Sequence, residues 1–98
     1  MQTFRTLELA IRQYRMIKAL KLKGEVRNQI ERAALSVCLN LSEGNAKLTQ
    51  KDRRRFFNIS YASQQEVKTL LCIEGFDDLH KNSDTLAAHL FRLQERAR

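Results

Sequence analysis

A chain of 98 residues makes one domain with a modest core and needs no staples to hold it. With no proline, three glycines and abundant Ala, Leu, Glu, Lys, Arg and Gln, it reads as all-α. The net charge of +7 is uneven: residues 1–55 hold 13 Lys+Arg against 5 Asp+Glu, whereas residues 56–98 hold 5 against 6. A basic half of this kind points to an anionic partner, nucleic acid being the commonest. The alternative is a helical protein with surplus surface cations.

The first predicted helix runs from about Thr3 to Lys21. Phe4, Leu7, Ile11 and Tyr14 follow helical spacing, and Leu9, Met16 and Leu20 widen the apolar arc beyond the usual stripe. Arg5, Arg12 and Arg15 form the narrow face that remains. Lys21-Leu22-Lys23-Gly24 is a break, with cations at the negative helix end and glycine beyond.

Helix two is predicted over about Glu25 to Ser42, with Gly44-Asn45 as its stop. Val26, Ile30, Ala33, Val37 and Leu41 form its core stripe. Ser36, Asn40 and Glu43 make a polar row along the flank. Leu35 and Leu39 point away from the core stripe, where a simple amphipathic helix would carry charge.

Helix three follows a Thr49 cap with Asp52 at the third position, and reaches about Ile73. Its predicted core stripe is Phe56, Ile59, Ala62, Val67, Leu70 and Ile73, with Ser63 and Glu66 inside that arc. Phe57 and Tyr61 project elsewhere. Gly75 ends the helix, Phe76 to Asn82 reads as an irregular acidic connection, and Asn82 or Ser83 caps a fourth helix through Leu86, Leu90, Phe91 and Leu93 to about Arg96. Short connections favour antiparallel neighbours, hence an up-down-up-down four-helix bundle.

Chemistry-bearing motifs are few. There is no P-loop, dinucleotide fingerprint or zinc spacing, and Ser36 lies in no strand-turn-helix elbow. Cys38 and Cys72 have no ligand-spaced partner and read as reduced core thiols of a cytoplasmic protein. The longest nearly apolar run, Ala33 to Leu41, is about half a membrane span. Neither a metal nor a cofactor is expected. Asp77-x-x-His80, in a predicted loop, is the nearest approach to the Glu-x-x-His spacing of di-iron bundles.

An unpaired carboxylate in an apolar arc costs several kcal/mol, so Glu66 in that arc needs partners. Ser36, Asn40, Glu43 and Ser63 can supply them, and the five are read as a structural polar network in preference to a catalytic site. Lys47, Lys51, Arg53, Arg54 and Arg55 crowd the start of helix three, against the positive end of its dipole. Poor for stability, they are read as phosphate-binding, supported by Arg5, Arg12 and Arg15. The surplus apolar surface of Leu35, Leu39, Phe57 and Tyr61 is read as an oligomer interface.

The segment Arg32-Ala33-Ala34-Leu35-Ser36-x-x-x-Asn40-x-x-Glu43-Gly44, with Ser63-x-x-Glu66 further on, resembles the bacterial four-helix-bundle family of intervening-sequence proteins, encoded in insertions within large-subunit ribosomal RNA genes. That family is related to the accessory variability determinant proteins of diversity-generating retroelements. The resemblance covers nearly the whole chain and is tightest in the second helix. This chain has Gly44-Asn45-Ala46 where the family usually carries an aromatic-glycine pair, and Ala62 where it often has glycine. The resemblance implies an antiparallel bundle assembling as a cyclic homopentamer. From the retroelement relatives it implies binding to nucleic acid and a reverse transcriptase. The expectation is therefore a non-enzymatic nucleic-acid-binding oligomer, or else a structural oligomer that scaffolds another protein.

Overall fold

The computed structural model describes residues 2–97, except for the side chains of Gln2, Thr3, Asp77, Asp78 and His80. Four helices follow one another: α1 (Gln2–Ala19), α2 (Gly24–Ala46), α3 (Gln50–Ile73) and α4 (Asp77–Arg96). No strand occurs among the described residues. At about 1.5 Å per residue α3 is about 36 Å long, nearly the full 40 Å of a body 21 and 18 Å across. Neighbours pack in a ring, α1 on α2, α2 on α3, α3 on α4 and α4 on α1. The α2–α3 interface is the most extensive and the α1–α4 interface the least. The chain is an all-α four-helix bundle.

The buried positions share one rhythm. Thr6, Ala10, Gln13 and Ile17 on α1, Ile30, Ala34, Val37, Leu41 and Gly44 on α2, Phe57, Ser60, Gln64, Val67 and Leu71 on α3, and Ser83, Leu86, Leu90, Leu93 and Ala97 at the α4 end are all buried. These spacings alternate between three and four residues, the pattern that interlocks side chains along nearly parallel or antiparallel helices. One core cluster joins Ala10 to Val37, Cys38, Leu41, Phe57, Leu86, Leu90 and Leu93. A second joins Ile17 to Ile30, Ala33, Ala34, Val67 and Leu71.

Local chemistry explains the connections. Gly24 turns the chain with φ +64°, a conformation costly for residues with a Cβ. Thr49 caps α3, its Oγ1 accepting from the Asp52 N–H at 3.2 Å, as predicted. Gly75, φ +78°, closes α3. Its N–H donates to the Cys72 carbonyl, and the Phe76 N–H donates to the Leu71 carbonyl at 3.0 Å, the paired bonds of a Schellman ending.

Several predicted features are corrected. Gly44 is not a stop: α2 continues to Ala46, and Gly44 is buried within it. A Cβ there would lie 2.7 Å from Phe57 Cε1 and 3.1 Å from Phe56 Cβ, so glycine is required by close packing and not by a left-handed backbone. The core face of α3 is rotated by about one residue. Phe57 is only 2% exposed and belongs to the core, whereas Ile59, Ala62 and Ile73 are exposed. Helix α4 begins at Asp77 without a side-chain cap, and Ser83 is buried inside it. The side chains of Asp77 and His80 lie outside the described residues. Cys38 is buried but Cys72 is exposed, so only the first is a core thiol.

The α3 reading failed because two of its core-facing positions are polar. Gln64 Nε2 donates to Gln13 Oε1 at 2.9 Å and to the Ser83 carbonyl at 3.1 Å. Gln13 Nε2 donates back to Gln64 Oε1 at 2.7 Å. The Ser83 hydroxyl donates to Gln13 Oε1 at 2.7 Å. Ser60 Oγ donates to the Val37 carbonyl at 2.8 Å. These buried groups find partners within the protein, the condition for tolerating them there.

Candidate nucleic-acid interface

The densest cationic run lies where α2 hands over to α3. Lys47 follows the last residue of α2, and Lys51, Arg53, Arg54 and Arg55 occupy the first turns of α3. Half-buried Phe56 organises two of them: Lys47 Nζ sits 5.1 Å and the Arg55 guanidinium carbon 5.5 Å from its ring centre, within range of a cation–π attraction. Phe56 is held in turn against Gly44. The glycine thus brings α3 close to α2 beside Phe56, and Lys47 and Arg55 sit over its ring.

Compensation of these charges is sparse. Lys47 pairs with Glu43 at 3.4 Å, both partly exposed, an interaction worth little in water. Among the described residues, Lys51, Arg53, Arg54 and Arg55 form no ion pair. Lys51, Arg54 and Arg55 are exposed, while Arg53 is half-buried. The Nε of Arg53 is shielded from solvent and has no hydrogen-bond partner.

The α1 cations stand apart from this group in their contacts. Arg5, Arg12 and Arg15 are all exposed. Arg12 lines a hollow between α1 and α4. Arg5 acts with Arg92 of α4 on His89: burial first, then Arg92, then Arg5, holds the imidazole below its usual pKa of 6.5. Arg92 and His89 were not singled out in the sequence, since one arginine and one histidine on a helix carry no local signal.

The expected polar network divides. Ser36 Oγ and Ser63 Oγ are 2.8 Å apart across the α2–α3 seam, and Asn40 Nδ2 donates to the Ser36 hydroxyl and carbonyl, each at 3.0 Å. Glu43 is exposed and turns to Lys47. Glu66 is exposed too, so it lies outside the apolar arc. Its position follows from the rotated face of α3: with Gln64 and Val67 inward, residue 66 is carried to solvent.

The expected interface residues also divide. Leu35 is 40% and Leu39 57% exposed, and Ile59 of α3 is 41% exposed. Tyr61 is half-buried and tilts against Phe91 at 5.9 Å between ring centres. Phe57 is withdrawn into the core.

No group of three or more His, Cys, Asp or Glu is placed to hold a metal ion among the described residues. Nor is any helix of the described residues long and apolar enough to cross a membrane. The sequence model of the 23S rRNA-intervening sequence protein family matches residues 4–92, nearly the entire chain. The chain belongs to that family. No curated protein and no solved structure matches it. The membership agrees with the bundle fold and with the second-helix pattern, in which Gly44 and Ser36 now have packing and hydrogen-bonding roles.

Proposed function

We propose that this intervening-sequence family member is a non-enzymatic, cytoplasmic nucleic-acid-binding protein that uses the basic α2–α3 junction. The observation that carries the reading is the set Lys51, Arg53, Arg54 and Arg55, four cations within five residues without an ion pair among the described residues. They gather at the N-terminal end of α3, where the helix dipole repels them. Phosphate contacts to the exposed Lys51, Arg54 and Arg55 offset that repulsion. Arg5, Arg12 and Arg15 extend the surface. With Phe56 already bracketed by Lys47 and Arg55, recognition rests on backbone and shape more than on base stacking.

The two core clusters support an up-down-up-down course. The first draws on the early part of α1, the late part of α2, the early part of α3 and the late part of α4. The second draws on the opposite portions of α1, α2 and α3. Exposed Leu35, Leu39 and Ile59 support assembly into a cyclic homo-oligomer, a pentamer by resemblance, which would repeat the basic surface around a ring. By the same resemblance the ring serves as an accessory subunit of a retroelement reverse transcriptase. The exposed apolar positions equally favour a second reading, a structural oligomer that scaffolds another protein without binding nucleic acid.

Fluorescence anisotropy with RNA and DNA across a salt series separates the two. Wild-type affinity should fall steeply with salt. The triple variant R53E/R54E/R55E should bind both polymers weakly, keep its helical signal, and lower the log–log salt slope on duplex DNA by up to about 2.7. A wild-type protein with no salt-sensitive affinity at low ionic strength would leave the scaffold reading in place.

A further inference from the structure

We propose that the hollow between α1 and α4 is a binding site for a small aromatic monocarboxylate of about benzoate size. Its volume is about 110 Å³, against about 150 Å³ for an apolar protein cavity that admits benzene. The hollow is the smaller of the two but open to solvent, so a ring seated there fills it and leaves its carboxylate at the mouth.

Most of its wall is apolar, with Leu9, Met16, Leu79 and Leu86 contributing. Gln13 and Ser83, both buried, also line it. Their acceptors and donors are largely spent on each other and on Gln64. Gln13 Oε1 takes two hydrogen bonds and Gln13 Nε2 gives one. The amide therefore keeps one N–H to offer.

Arg12 and Asn82 complete the lining, and both are exposed, so they stand at its mouth. Neither has a hydrogen-bond or ion-pair partner among the described residues. An apolar hole with a few convergent donors is the usual form of a small-molecule site. Here the donors are a guanidinium and two amide N–H groups, which suits a carboxylate. Retention has to come from direct hydrogen bonds, above all from Arg12.

Met16 is one of only two methionines in the chain, the other being Met1. Protein labelled with ¹³C-methyl methionine therefore carries its own probe at the cavity wall. Benzoate should shift the Met16 methyl signal saturably, in the millimolar range for so small a guest. Benzyl alcohol, with the same ring but no charge, should bind roughly tenfold more weakly, and acetate should leave the signal in place. Arg12→Gln should remove the advantage of benzoate over benzyl alcohol. Leu79→Trp, which fills the hollow, should abolish both shifts. Three outcomes would overturn the proposal: no saturable Met16 shift with benzoate, the same shift with acetate, or an unchanged benzoate preference in Arg12→Gln. The exposed Arg12 substitution keeps the test decisive even if Leu79→Trp does not fold.

Discussion

The ring of Phe57 occupies the place where a side chain on Gly44 would be. A Cβ on Gly44 would meet Phe57 Cε1 at 2.7 Å and Cδ1 at 2.8 Å. Alanine is the better helix former by about 1 kcal/mol. Overpacking a core contact costs about 1–3 kcal/mol, and the buried Phe57 ring has little freedom to retreat. Gly44→Ala should therefore lower stability on balance, by about 1 kcal/mol, read as an earlier urea midpoint. Trimming the ring in Gly44→Ala/Phe57→Leu should make the effects non-additive, because the two sites touch.

The glutamine pair should behave in the opposite sense from a surface contact. Gln64→Leu strips Gln13 of a donor and an acceptor inside the core. The expected loss is about 1–3 kcal/mol. Gln13→Leu/Gln64→Leu should cost less than the sum of the single changes, since neither amide is then abandoned. Glu66→Ala, at an exposed site, should stay within about 0.5 kcal/mol of wild type. Urea unfolding of the four proteins checks the order.

Assembly is tested at Leu35 and Leu39. Light scattering should report an oligomer for the wild type. Leu35→Asp/Leu39→Asp should give a smaller species with unchanged helicity, because both side chains already lie on the outside of the single chain. A wild-type monomer at micromolar concentration would remove the ring from the proposal.

His89 sets a pH dependence whose sign can be worked out. Burial, with Arg92 and Arg5 nearby, lowers its pKa in the folded chain. The unfolded chain then binds the proton more readily, so folding stability falls as pH drops below about 6.5 and levels off below the folded-state value. His89→Gln should flatten that part of a stability–pH curve. Cys38 shifts the other way: burial raises its pKa, so its contribution declines as pH rises past the ordinary thiol range. A thiol reagent at pH 8 should label exposed Cys72 quickly and Cys38 only on unfolding.

Much of the architecture was legible because it depends on local chemistry. The four helices, the breaks at Gly24 and Gly75 and the Thr49 cap each arise from a few neighbouring residues. The α2 stripe was also correct at Ile30, Ala33, Val37 and Leu41, where the buried positions are apolar. Helix α3 was misread because Ser60 and Gln64 face inward, and their acceptability depends on Val37, Gln13 and Ser83 far along the chain. The same error placed Glu66 in the core and Phe57 outside it. At the candidate interface, the cationic run was visible as consecutive letters. Its organisation around Phe56 was not, because that depends on how closely α2 and α3 approach at Gly44.

The Ser83–Gln13 hydrogen bond joins residues 70 positions apart, and this separation orders events during synthesis. When the first three helices have left the ribosome, Gln13 and Gln64 can already meet, but their shared acceptor and donor still face an open side. Only the arrival of α4 supplies the Ser83 hydroxyl and carbonyl and excludes water from the pair. A chain without α4 would therefore leave that pair short of both Ser83 partners and open to water.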